Sequence, residues 1–210
     1  MPTPAVQLDD VTVTIGRTRA LHGVSLSVQR GTHLALTGSN GSGKSTLLSV
    51  VAGILQPTAG RMTRLPGRVA WVAQRSEVPD ALPVTVRQVV LMGRWAHRGA
   101  WRPLTRTDRA LVAHALEALG LETHAARPLA DLSGGQRQRA FVAQAIVQRA
   151  DLLLLDEPTV GLDAEAQELI ATALAAESAR GATILHATHD LAAMARADAV
   201  VTLASGSLVE

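Results

Sequence analysis

The 210 residues predict an α/β fold with a mostly parallel central sheet, and three observations carry that expectation. Residues 38–46, GSNGSGKST, set a glycine-rich turn between a short apolar run at 34–37 and an apolar helix-like stretch at 46–51. Residues 152–155 are four consecutive leucines, as in a strand covered on both faces within a parallel sheet. Strand-like and helix-like stretches alternate on both sides of the turn, the rhythm of a sheet flanked by helices.

Taken in order, residues 6–15 alternate loosely between apolar and polar, 16–19 offer a turn, and 21–28 read as a second strand. An antiparallel β lobe therefore precedes the glycine-rich turn. The helix after that turn ends near Gly53 and Pro57, and alternation returns at 68–73, with Val69, Trp71 and Ala73 on one side and Gln74 at the end. From 75 to 131, Pro79, Pro83 and Pro103 punctuate helical stretches at 86–93 and 107–120, which reads as an inserted helical lobe. Trp95 and Trp101 lie in it, and two readings stay open for them: local packing or docking of a partner. Residues 133–150 read as a helix opened by LSGGQ, 132–136. After the leucine strand, 165–180 is helical and stops at Gly181, 183–188 is a strand, 190–197 a helix, and 199–209 a strand pair around Ser205 and Gly206. The expected organisation is a single domain: a core at 1–74 and 137–210, and a lobe at 75–136 bearing LSGGQ.

Composition narrows the function classes. Hydrophobic residues make up 47% and charged residues 18%, which excludes a disordered chain. The pI near 10.3 overstates basicity, because the formal net charge is only +2 and Tyr and Cys are absent. Arg94, Arg98, Arg102, Arg106 and Arg109 form a thin cluster that reads as a solvated or partner-facing surface, so no nucleic-acid partner is expected. Without cysteine there is neither a disulfide framework nor a thiolate metal site, which suits the cytoplasm. Residues 1–15 do not resemble a signal peptide, and no apolar run nears the ~18 residues that cross a bilayer. If the protein works at a membrane, another chain must span it.

The chemistry starts at the turn. Residues 38–46 fit G-x-x-x-x-G-K-[ST], in which successive backbone N–H groups and the start of a helix face phosphate oxygens. Gly38, Ser39, Asn40, Gly41, Ser42, Gly43, Lys44, Ser45 and Thr46 are thus candidate nucleotide-binding residues. Lys44 is the one lysine among twenty basic residues, kept where a slender ammonium must reach between phosphates. Hydrolysis also needs a metal and a group to polarise water. Ser45 can ligate Mg²⁺ through its hydroxyl and Asp156 can hold it from the end of the leucine strand, while the adjacent Glu157 should point elsewhere, toward the γ-phosphate side. His189, after the 183–188 strand, can contact a γ-phosphate or be structural. Asp163 reads equally as the N-cap of the next helix or as part of the site. Ser133, Gly134, Gly135 and Gln136 open a second anion-binding helix start, more than one nucleotide needs within one chain. Two copies meeting head to tail, each closing the other's nucleotide, would explain it.

Together these residues resemble the ATPase subunit of an ABC transporter, over essentially the whole chain. Residues 38–46 are similar to the Walker A loop, Gln74 to the Q-loop, 132–136 to the signature motif, 152–157 to Walker B with its glutamate, 161–163 to the D-loop and His189 to the switch histidine. The resemblance implies the P-loop ABC ATPase fold, ATP and Mg²⁺ as cofactors, and Lys44, Gln74, Glu157 and His189 as catalytic residues. It also implies Gln74 beside Ser45 and Asp156 at the metal, and Asp163 at the nucleotide. Implied partners are a second copy of the chain, a multi-span membrane permease and an extracytoplasmic metal-binding protein, with the ATPase on the cytoplasmic face of the cell membrane. Residues 71–95 resemble the zinc, manganese or iron importer group, the zinc type most, although siderophore and cobalamin importers share the Gly93-Arg94 and His97 region. A soluble non-transport ABC ATPase is the other class, favoured by a second cassette, a coiled coil or a basic face, none of which is seen. A guanine-reading N-K-x-D string is also absent. Two departures from the family stand out. Ile15 holds the place of an adenine-stacking aromatic, which predicts a small preference for ATP over GTP. The sequence also stops soon after its last strand, so no appended regulatory domain is expected.

Overall fold

The computed structural model describes residues 3–74, 83–95, 99 and 102–209. They form two compact units, one of residues 3–74, 151–157 and 178–209, the other of the described residues within 83–150 and 158–177.

The first unit is built on two sheets. β1 (Val6–Ile15), β2 (Thr18–Val28) and β4 (Ala59–Arg64) form an antiparallel sheet in the order β2-β1-β4. The second sheet has six strands in the order β5-β6-β7-β3-β8-β9: β3 (His33–Thr37), β5 (Val69–Val72), β6 (Leu152–Asp156), β7 (Thr183–Ala187), β8 (Ala199–Ala204) and β9 (Ser207–Val209). All its pairings are parallel except the closing β8–β9 hairpin. Helix α1 (Lys44–Ala52) buries Leu47, Leu48, Val50 and Val51 completely, in one core with Val6, Leu8 and Val13 of the small sheet and Leu34, Leu36 and Leu154 of the large one. Each such side chain contributes about 1.5–3 kcal/mol of burial. All five residues of β6 are buried, as a strand covered on both faces requires.

β4 was not legible in the sequence. Its residues AGRMTR are exposed apart from a half-buried Met62, so there is no apolar alternation to read. The pairing of Met62 with Leu8 and of Arg64 with Val6 makes it a strand, and its arginines suit an edge. In β5 the buried residues are Ala70 and Val72, whereas Val69 and Trp71 lean partly buried onto the main core.

Parallel direction places the C-terminal ends of β5, β6, β7 and β3 on one edge of the sheet. Those ends lead into Gln74, Glu157, His189 and Gly38. β7 lies between β6 and β3, so the strand bearing Asp156 and the strand feeding the glycine-rich loop are not neighbours. The short helix α6 (Leu191–Ala195) follows β7 and is capped by Asp190, whose carboxylate accepts from the Ala192 amide at 2.9 Å.

The second unit holds α2 (Val86–Met92), α3 (Arg106–Ala118), α4 (Gly134–Ile146) and all but the last residues of α5 (Ala164–Ala179). Reciprocal capping boxes open the first three, with Thr85 and Gln88, Thr105 and Asp108, and Ser133 and Gln136. Gly93, at the end of α2, sits so close to α4 that a Cβ would stand 2.2 Å from the Gln144 carbonyl oxygen. Arg94 follows with a 2.8 Å ion pair to Asp108 and a hydrogen bond donated to the Val147 carbonyl. At 5% exposure Arg94 is an internal strut, which corrects its reading as part of a surface arginine cluster. Arg102, Arg106 and Arg109 are exposed; Arg98, His97 and Trp101 lie outside the described residues. Trp95 is 43% exposed. The same contacts place α4 in this unit, which therefore runs past the boundary at 136 read from the sequence. No helix among the described residues is long and apolar enough to cross a membrane.

Candidate functional site

The glycine-rich loop leaves β3 with backbone angles that side chains resist. Gly38 (φ 144°) could not carry a Cβ, which would stand 2.1 Å from the Leu203 carbonyl oxygen, and at Gly43 (φ 106°) a Cβ would stand 2.7 Å from that of Ala20. Close packing against β2 and β8 thus explains two of the glycines. The loop folds on itself through the Ser42 amide, which donates to the Ser39 carbonyl at 3.1 Å. Lys44, 5% exposed, donates from Nζ to the carbonyls of Gly38 (2.8 Å) and Ser39 (3.1 Å) and lies 3.6 Å from Oε1 of Glu157.

Asp156 and Glu157 are adjacent yet face different partners. Asp156 ends β6 in extended backbone, whereas Glu157 adopts φ 50°, a left-handed turn costing an ordinary residue about 1–2 kcal/mol. Its amide donates to the Ala187 carbonyl at 3.0 Å, and its Oε2 accepts from Nε2 of Gln74 at 3.3 Å. Asp156 is 3% exposed, and its Oδ1 has no hydrogen-bond partner among the described residues. Burial pushes its carboxyl pKa up, the Ser45 hydroxyl pulls it down, Glu157 pushes it up and Lys44 pulls it down. A buried, unsatisfied carboxylate oxygen beside a hydroxyl is a hard-oxygen pair of the kind Mg²⁺ takes, so these residues fit that ion.

A cleft of about 580 Å³ opens over the loop, within the usual size of small-molecule sites. Asn40, Gly41, Gly43, Lys44, Ser45, Thr46, Gln74 and Glu157 line it, so the structure gathers these predicted residues in one place. The remaining wall is Thr18, Arg19, Ala20, His22, Ser205 and Gly206, which sequence reasoning missed as site residues. The only signal they left was the Ser205-Gly206 turn, read as a hairpin. His189 is exposed and is not among the lining residues, although Thr188 before it ties back to β3 through its amide and the Leu36 carbonyl at 3.0 Å. Ile15 is 53% exposed and does not line the cleft either.

In the other unit, Ser133 caps α4 by accepting from the Gln136 amide at 3.2 Å, and Gln136 Oε1 accepts from the Ser133 amide at 3.0 Å. Gln136 Nε2 lies 3.1 Å from His124 Nε2. A Cβ on Gly135 would stand 3.1 Å from Leu162, so α4 starts packed against the turn before α5. Asp163 there accepts from the Ala166 amide at 2.8 Å, the N-cap arrangement.

Comparison with known proteins places this geometry. The ABC transporter family profile matches residues 21–160. The manganese transport system ATP-binding protein MntA of Synechocystis sp. is 40% identical over 90% of this chain and 76% of its own length. The zinc transport system ATP-binding protein TroB of Treponema pallidum is 41% identical over 91% of this chain and 74% of its own. Among solved structures, a dimeric ATP-binding cassette in a post-hydrolysis state with ADP and Pi superposes with a TM-score of 0.84. It is 25% identical, and the match covers 98% of this chain and 97% of that one. A glycine-rich loop opening a helix, two acids at the end of a buried strand and a fold shared with these cassettes agree with the profile match: the chain belongs to the ABC transporter family, as an ATP-binding, ATP-hydrolysing subunit.

Proposed function

We propose that this subunit powers the uptake of a divalent metal through a separate membrane permease, with zinc the first cargo to test and manganese or iron the alternatives. Its similarity to ATP-binding proteins of manganese and zinc transport systems supports the cargo class. The observation that carries the catalytic reading is Glu157, held between Lys44 and Gln74 at the wall of the cleft.

In this reading the backbone amides of residues 39–46 and the Lys44 ammonium bind the phosphates, the ammonium leaving its loop carbonyls and Glu157 as it does so. Ser45 and Asp156 hold Mg²⁺, with Gln74 reaching the same region. When bound, the ion offsets charge on the phosphate oxygens. Glu157 takes the proton of the attacking water, and its left-handed backbone aims the carboxylate away from Asp156. His189 contacts the γ-phosphate from the next strand end, and its exposure suits a residue that closes only over bound nucleotide. Ser133, Gly134, Gly135 and Gln136 of a second copy complete the site, with Asp163 beside them, so that closure of the dimer drives the permease. An extracytoplasmic metal-binding protein delivers cargo to that permease, and the ATPase sits peripherally on the cytoplasmic face of the membrane.

The test uses tagged Glu157→Gln protein expressed in its source organism, with membranes solubilised gently in ATP and Mg²⁺ and the co-purifying proteins identified by mass spectrometry. A multi-span membrane protein is expected, and growth of a strain lacking the subunit should fail when zinc, rather than manganese or iron, is limiting. Recovery of soluble partners only would overturn the transport reading, and a growth defect specific to manganese or iron would overturn zinc.

A further inference from the structure

The loop accounts for one part of the cleft, and the rest of the wall still has to receive something. If triphosphate lies on residues 39–46, the nucleoside must lie against Thr18, Arg19, Ala20, His22, Ser205 or Gly206, the lining residues that belong neither to the loop nor to the acid cluster. Of all the described lining residues, His22 alone carries a ring.

That ring is seated by the same turn that anchors the loop. The Gly206 amide donates to the Ser42 carbonyl at 2.9 Å, and the Gly206 carbonyl accepts from the His22 amide at 2.8 Å. A Cβ on Gly206 would stand 2.4 Å from Cδ2 of His22 and 2.8 Å from the Ala20 carbonyl oxygen, so the imidazole edge lies directly against a residue that must lack a side chain. Gly206 also has φ 81°, in the left-handed region. Two main-chain hydrogen bonds through one glycine therefore fix the spacing between the loop and the backbone that carries the ring, and the ring itself lies over that glycine.

We propose that His22 is the base platform of this site, stacking the purine of a nucleoside triphosphate whose phosphates lie on the loop. The inference rests on the nucleotide reading given above and deepens it by naming the residue that receives the base. Every base has a π face, so a stacking platform without base-edge contacts discriminates weakly between adenine and guanine. Arg19, in the same wall, adds a cation near the nucleoside.

The test compares binding of ATP, GTP and inorganic triphosphate, each with Mg²⁺, to the full-length wild-type protein, His22→Ala and His22→Phe by calorimetry. His22→Ala should weaken ATP and GTP by roughly 5- to 20-fold, as the loss of one stacking partner does, and leave inorganic triphosphate within about twofold. His22→Phe should restore most of the loss, and in turnover His22→Ala should raise KM while kcat holds. Unchanged ATP affinity in His22→Ala, or an equal loss for inorganic triphosphate, would overturn the platform. Wild-type protein that binds neither ATP nor inorganic triphosphate would overturn the nucleotide reading, and this inference with it.

Discussion

Glu157 occupies backbone that glycine adopts most easily, at the end of a strand whose every residue is buried. The strain accompanies different hydrogen-bond partners for two neighbouring carboxylates, Gln74 for Glu157 and the Ser45 hydroxyl for Asp156, while Lys44 acts on both. Glu157→Gln keeps the length and shape of the side chain but cannot accept a proton. It should cut phosphate release by about 10²- to 10⁴-fold while ATP binding persists, as measured by turnover and calorimetry on the same sample. A second residue-scale expectation concerns His33 and His186, whose rings stack at 5.9 Å inside the large sheet. Burial first, then the neighbouring His33, lowers the His186 pKa from 6.5 to about 3, and burial lowers that of His33 against an opposing pull from Asp198; Asp190 opposes the shift at His186. The unfolded chain thus takes up protons before the folded one does. Stability should hold above pH 6.5 and fall as the pH drops toward 3, by up to about 1.4 kcal/mol per pH unit for His186. His186→Leu should flatten that acid limb in urea melts taken between pH 7 and 4; an unaltered slope would show that His186 does not carry it.

At the scale of elements, periodicity found those that bury a face and missed those that do not. β6 and α1 were legible because their apolar residues are dense, whereas β4 is held by backbone pairing to β1 and leaves almost no hydrophobic pattern. The Arg94 strut was misread for a related reason: among other arginines, composition looks like surface. In the fold Arg94 pairs with an Asp108 that is 2% exposed, and the Thr105 hydroxyl foremost, with Arg94 assisting, holds that carboxyl well below the usual range. Arg94→Ala should destabilise the protein by about 3–5 kcal/mol in urea denaturation, because it strips a partner from a buried charge and frees the Val147 carbonyl. Exposed Arg109→Ala should cost less than about 0.5 kcal/mol, and an equal cost at both positions would refute the strut.

At the scale of the whole molecule, the proposed head-to-tail dimer makes an asymmetric prediction. Lys44→Ala breaks the loop of its own chain, and Ser133→Arg breaks the helix start offered to the partner, so each variant alone has no intact site. Mixed, the two form heterodimers in which one site joins an intact loop to an intact helix start. ATPase activity should therefore rise above that of either variant; no recovery in dimers shown to be mixed would rule out the head-to-tail arrangement. By itself the sequence determined the family and the parallel sheet, and it located the glycine-rich loop and the adjacent acids at a strand's end, because each is written in contiguous residues with a characteristic spacing. Only the tertiary structure decided that Arg94 is internal, that β4 is a strand and that His22 faces the cleft. Those outcomes depend on residues far apart in the chain, such as Ser42, Gly206 and His22, meeting through backbone hydrogen bonds that leave no local pattern to read.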